Sequence, residues 1–238
     1  MTEQFERVAE VEAAHWWFVT LREHVAAELR VSVPADARVL DAGCGTGRML
    51  GELPEYERTG VDVNPRVLEY ARSRHPDVEW IEASVLALPF PDRSFDALIS
   101  LDVLYAAAVE DDLAAARELC RVLRPGGLAI FHLPAYQWLM SGHDVVAKSA
   151  RRYTARRTRA LLREAGFSSV LTSYRVSALF PVAAARRLLT RGGETTDVGP
   201  VPVPLNRALT AINRTESRLI RHGLRAPFGL SVLAVATR

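Results

Sequence analysis

Cysteine is scarce: Cys44 and Cys120 are the only two in 238 residues. That excludes a disulfide-stapled scaffold, leaves too few thiolates for a cysteine-rich zinc site, and suits a reducing cytoplasm. Lysine is scarcer still. Lys148 stands alone among 30 basic residues, so 29 are arginine. A GC-rich coding sequence produces the same bias, which weakens the arginine excess as a sign of phosphate binding, even though arginine makes the better bidentate fork. No uninterrupted apolar run approaches the roughly 20 residues that cross a bilayer. The start, Met1-Thr2-Glu3-Gln4-Phe5-Glu6, is acidic and lacks the basic and apolar stretches of a signal peptide. No internal repeat points to a solenoid.

What is present is a chain long enough, at 49% hydrophobic, to bury one sizeable core. The formal net charge of +2 conceals a split at residue 150: residues 1–150 hold 14 basic and 24 acidic side chains, and residues 151–238 hold 16 basic and 4 acidic. The C-terminal part either meets something anionic, such as a phosphorylated or carboxylated substrate, a membrane surface or nucleic acid, or is a basic solvated helical surface.

Residues 3–31 read as helix around an aromatic break, His15-Trp16-Trp17-Phe18. From Arg38 onward short apolar runs alternate with amphipathic segments. Strands are expected at Val39-Leu40-Asp41, Thr59–Asp62, Val78–Ile81, Ala97–Ser100 and Leu128–Phe131, with helices near 47–53, 65–74 and 110–123. The alternation predicts an α/β fold, a doubly wound sheet. An aromatic loop, Pro134–Trp138, follows, then a helix near 155–165, a strand near 168–175 and a last strand at Leu230–Val235. Between those two strands lie about fifty residues, including helices near 177–190 and up to 222 around a proline-rich stretch. That is far longer than an ordinary connection. The expected division is an N-terminal helical cap at 1–34, a core at 35–176 plus 226–238, and a helical insertion at 177–225 that serves as lid, dimer interface or membrane-facing addition.

The most informative run is Val39-Leu40-Asp41-Ala42-Gly43-Cys44-Gly45-Thr46-Gly47, a strand running into a glycine turn that opens a helix. Gly43 and Gly45 let the backbone approach a ligand closely. A Walker loop would need Gly-Lys-Ser/Thr, and a dinucleotide fingerprint a glycine where Arg48 stands, so both phosphate readings fail. Asp62 ends the second strand 21 residues after Asp41, placed to accept both hydrogens of a ribose diol. Asp41 either organises the amides of the turn or meets an ammonium group.

This segment resembles the class I S-adenosylmethionine-dependent methyltransferases, and the likeness extends from about Arg38 to Pro134. Ala87–Asp96 is similar to the family's approach to its fourth strand, and Arg121–Gly127 to the turn before its fifth. The resemblance implies a seven-stranded Rossmann-like sheet whose last strand reverses, with S-adenosylmethionine as cofactor and S-adenosylhomocysteine as product. By position it assigns Asp41, Gly43, Cys44 and Gly45 to the methionyl part, Asp62 to the ribose, Val63, Ala83, Ser84 and Val85 to the adenine, and Leu101 to the ammonium. Ser84 stands where aspartate is often found. The His-Trp-Trp-Phe start resembles bacterial small-molecule methyltransferases of the ubiquinone and menaquinone biosynthetic type; in that setting Arg22 partners the cofactor carboxylate. Trp16 and Trp17 either cover the site or staple helix to sheet.

The acceptor is expected to be a small molecule of biosynthetic metabolism. Ser100–Tyr105 lacks the motif with which DNA amino-methylating enzymes grip a base, and Tyr105-Ala106 replaces the Glu-His pair of metal-assisted quinone enzymes, so no metal is expected. His143 is the expected general base, with Tyr105 assisting; His132 ranks below it because it lies in an apolar strand. Tyr136, Trp138, Arg151 and Arg152 are the expected substrate contacts. Arg186 and Arg187 on an apolar helix suggest an anionic or lipid-linked acceptor and peripheral membrane contact. No nucleic-acid module accompanies the charge, so none is expected as partner. The competing reading is a non-catalytic cofactor-binding or partner-binding protein of the same fold.

Overall fold

The computed structural model describes residues 2–140, 142, 144, 148–189 and 201–238, with backbone alone for 2–5, 7 and 187–189. Two helices, α1 (Thr2–Ala14) and α2 (Trp16–Ser32), meet at the aromatic break, where the His15 side chain accepts from Trp17 N and caps α2. Strand β1 (Arg38–Ala42) leads through the glycine turn into a single helical turn, α3 (Arg48–Gly51), shorter than the expected 47–53. Then come β2 (Glu57–Asp62), α4 (Pro65–Arg74), β3 (Glu79–Glu82), β4 (Phe95–Leu101), α5 (Asp112–Val122) and β5 (Leu123–Pro134). After a short 3-10 turn at Gln137–Leu139 the chain forms α6 (Ala155–Glu164), β6 (Ser169–Arg175), α7 (Phe180–Leu189), α8 (Val203–Arg221) and β7 (Ser231–Thr237).

The sheet has seven strands in the order β3-β2-β1-β4-β5-β7-β6, and β7 runs antiparallel to both neighbours. The expected doubly wound Rossmann-like sheet with a reversed last strand is what the structure shows. Successive strand residues point to opposite faces: Leu40, Leu98 and Phe131 pack with α5 and α6 residues on one face, Val39, Ile99 and Ile130 with Leu21, Val25 and Leu29 of α2 on the other.

The long segment before β7 returns to the start of the chain. Asn206 of α8 accepts from Trp16 N (2.9 Å) and donates to Ala14 O (2.9 Å), filling the backbone positions that the α1–α2 break leaves open. Arg214 donates to Glu23 of α2 at 2.8 Å. Helices α2 and α8 therefore lie side by side, α2 packing on the sheet face that carries Ile130 and Leu233 and α8 reaching β6.

Candidate active site

Gly43, Gly45 and Gly47 hold φ of +90°, +52° and +78°, a region that glycine enters without steric cost. Gly43 N and Cys44 N both donate to Val61 O, at 2.7 and 2.9 Å, tying the turn to the end of β2. Asp62 accepts from Gly45 N (3.1 Å) through one oxygen and from Asn64 N (2.9 Å) through the other. Its carboxylate is thereby fixed beside the turn, with lone pairs left for a diol. An ideal Cβ at Gly43 would fall 2.2 Å from Val103 Cγ2, whereas at Gly45 nothing lies within 4 Å. The open side of the turn is over Gly45. On its inner side the Trp80 indole fills the space, since a Cβ at Gly47 or Gly60 would come within 2.3 or 2.4 Å of that ring.

Asp41 is buried beneath the turn, and desolvation, reinforced by the Asp62 charge, pushes its carboxyl up to about 7. A ligand ammonium above it would supply the missing positive charge. Burial and the same two carboxylates raise the Cys44 thiol, which stays neutral.

At the end of β4 the chain bends through Asp102 at φ +58°. Asp102 N donates to His132 O (2.9 Å), and Asp102 Oδ2 lies 3.0 Å from His132 Nδ1. The carboxylate is an acceptor, so it selects the Nδ1–H tautomer and leaves the lone pair on Nε2. His132 is fully buried, its Nε2 has no hydrogen-bond partner, and Trp17 stands edge-on to it with ring centroids 5.9 Å apart.

Residues 40–131 match a family described as a methyltransferase domain. A probable S-adenosylmethionine-dependent methyltransferase of Mycobacterium tuberculosis is 27% identical, the alignment spanning 97% of this chain and 87% of that protein. A tRNA (carboxymethyluridine(34)-5-O)-methyltransferase of Xenopus tropicalis is 35% identical over a shorter stretch, 44% of this chain and 17% of the relative. Among solved structures, a chain of the complex between the Haloferax volcanii Trm112 methyltransferase activator and a methyltransferase partner shares the fold. It has a TM-score of 0.66 and 22% identity over 98% of this chain and 93% of that one. Residues 40–131 thus carry a methyltransferase domain, and the comparisons point to the class I S-adenosylmethionine-dependent enzymes.

The residues at this end of the sheet fit S-adenosylmethionine. The open space over Gly45, the fixed Asp62 carboxylate and buried Asp41 offer a cradle, a diol acceptor and a partner for an ammonium. Val63 is 56% exposed at the end of β2, an apolar surface available to an adenine ring. Ala83 N donates to Asp62 O (3.1 Å), which brings 83–85 to the same end of the sheet, although Ser84 Oγ already accepts from Leu86 N (3.2 Å) and Val85 is buried. Leu101 immediately precedes the Asp102 bend.

Other expected residues have different surroundings. Arg22 donates to Glu52 Oε1 (2.9 Å) and to Glu12 O (2.8 Å), bracing α1 against the turn after α3. Thr46 of the glycine turn hydrogen-bonds Glu12, whose carboxyl burial raises, so α1 is clamped onto the turn from outside. Arg152, expected to grip an acceptor, is instead buried in a bidentate pair with Asp144 (2.8 and 3.0 Å) and also donates to Ala135 O (3.1 Å). Arg151 likewise serves the fold, donating to Val109 O (2.7 Å) beside Asp112. In both cases the guanidinium satisfies a backbone carbonyl, Ala135 O after β5 for Arg152 and Val109 O before α5 for Arg151.

Tyr136 stacks on Tyr174 at 5.1 Å and meets Phe180 at 5.4 Å, while Trp138 lies 6.2 Å from Phe180, so the pair forms part of an aromatic wall. Burial and the charges of Asp102 and Asp144 raise the Tyr105 phenol, which makes it a donor and a poor base. His143 lies outside the described residues. Sequence reasoning passed over the Asp102–His132 pair because the two are 30 residues apart; only the β4–β5 register, Leu101 opposite His132, brings them together. Among the described residues no three His, Cys, Asp or Glu side chains converge as a metal site, and no helix is long and apolar enough to cross a membrane.

Proposed function

We propose that this methyltransferase acts on a small-molecule acceptor held over the carboxyl ends of β4 and β5, and that His132 takes the proton its nucleophile gives up. The Asp102–His132 contact of 3.0 Å carries the reading. When bound, S-adenosylmethionine supplies a sulfonium methyl group that is already activated. The chain's own tasks are then to hold the acceptor in line and to receive a proton. Asp102 fixes the ring, and Nε2 faces the side covered by α2 and α8. Enclosure by two helices suits a small molecule; RNA recognition draws on exposed stacking platforms and phosphate contacts. A lipid-linked acceptor is the narrower form of this reading, supported by the 71% exposure of Val182 on α7.

The test is His132→Gln. Turnover with labelled S-adenosylmethionine and an acceptor library is expected to fall about 10²–10⁴-fold, the usual worth of a positioned base, with S-adenosylhomocysteine affinity intact. Unchanged turnover would remove His132 from the chemistry, and efficient methylation of bulk tRNA would overturn the small-molecule reading.

A further inference from the structure

Arg175, the last residue of β6, is 1% exposed, and neither its Nε nor its Nη2 has a hydrogen-bond partner. A desolvated guanidinium without acceptors is costly, and such groups are normally paired. The two idle nitrogens form one edge of the planar fork, the edge that grips the two oxygens of a carboxylate side by side.

The surroundings repeat the pattern. Strand register sets Ser231 directly opposite Arg175, and Ser231 Oγ is buried without a partner. Through β7 the same register places Pro134 and, one pleat earlier, His132 on that face, so Arg175 and His132 project toward the same side. His24 of α2 lies close enough to feel Arg175, and burial, together with the Arg175 and Arg221 charges, pushes it down to about 3, leaving it neutral. From α8, Asn213 Oδ1 and Ser217 Oγ are also buried and unpartnered. Six polar side chains from α2, β5, β6, β7 and α8 thus leave hydrogen-bonding capacity unused beneath one pair of helices.

Two acidic groups face Arg175, Asp102 and Glu216. Neither closes its free edge. Asp102 is engaged by His132, and Glu216 accepts from Val176 N and Ser177 N, at 2.6 and 2.8 Å.

We infer that Arg175, with the Ser231 hydroxyl opposite it as a further donor, is a binding site for a carboxylate group of the acceptor, set beside His132 so that one end of the molecule is anchored while the other is methylated. This rests on the small-molecule reading above and narrows it to carboxylate-bearing acceptors.

The probes are acetate and benzoate, with benzamide as the neutral match of benzoate and inorganic phosphate as the other anion. Each is titrated by NMR into isotopically labelled protein saturated with S-adenosylhomocysteine. The expected result is carboxylate binding that shifts the amides of Val176 and Ser231, at least tenfold weaker for benzamide and phosphate. It should also be at least tenfold weaker in Arg175→Gln. Ser231→Asp, which sets an internal carboxylate directly opposite Arg175, should weaken it equally, and serves if Arg175→Gln does not fold. No carboxylate binding, equal binding of benzamide or phosphate, or undiminished binding in a folded variant would overturn the inference. Affinity for S-adenosylhomocysteine is read on the same samples. Normal cofactor affinity without carboxylate binding sinks this inference alone, whereas carboxylate binding without methyl transfer to any acceptor sinks the proposed function and leaves the anion site standing.

Discussion

Replacing Asp41 by asparagine should stabilise the cofactor-free protein at neutral and alkaline pH while weakening its hold on the cofactor. The carboxyl is fully desolvated under the glycine turn, which raises it from 3.8 to about 7, with Asp62 adding like-charge repulsion. Below about pH 4 it is protonated in both the folded and the unfolded chain. Between the two values only the unfolded chain ionises, so the native state binds the extra proton and stability falls by about 1.4 kcal/mol per pH unit. The loss levels off above about pH 7 at about 4 kcal/mol. Asparagine keeps the shape and removes the charge. Urea unfolding of both proteins from about pH 5 to about pH 8.5, which brackets the native value, should show the variant's advantage growing with pH and then reaching a plateau. A difference that does not vary with pH, or a variant less stable at the alkaline end, would refute the reasoning. Asp62→Asn, by removing the repulsion, should lower the Asp41 value and shrink the effect.

Three further outcomes follow from contacts elsewhere in the fold. Asp144→Ala strands the Arg152 guanidinium in a buried position and is expected to cost about 3–5 kcal/mol; joint replacement with Arg152→Met should recover most of that in a double-mutant cycle. Trp80→Ala empties the space between Gly47 and Gly60 and should cost about 3–5 kcal/mol by denaturant unfolding, and in that background Gly60→Ala should be tolerated. Asn206→Ala unfastens α8 from the α1–α2 break and should destabilise by about 1–3 kcal/mol, with hydrogen exchange at Trp16 N accelerated.

The cofactor side was legible because its chemistry is local. The turn from Asp41 to Gly47 is contiguous, and Asp62 follows after one helix and one strand, so spacing suggested that they meet, and the structure sets the Asp62 carboxylate against Gly45 N. Element boundaries that depend on packing were less so: the helix after the turn is a single turn, and β5 begins at Leu123 because Phe95 pairs with it across a register shift. The acceptor side was poorly legible because it is assembled from distant segments. Arg151 and Arg152 read as a basic patch, and only the folded loop shows their acceptors; Arg175 read as one arginine among many, and only burial singles it out. The charge split at residue 150 is correspondingly a mixture. Arg152 is sequestered by Asp144 and Arg214 pairs with Glu23, so part of the basic excess is structural. Among the described residues, Arg175 is the arginine that is both almost fully buried and without partners at Nε and Nη2.

The central claim is that the glycine turn and Asp62 hold S-adenosylmethionine, and calorimetric titration with S-adenosylhomocysteine tests it most directly. The account predicts one equivalent bound, with affinity lowered at least tenfold, about 1.4 kcal/mol, in Asp62→Ala and unchanged in Asp102→Asn. Absence of binding to the unmodified protein, or an Asp62→Ala variant that binds as tightly, would contradict it.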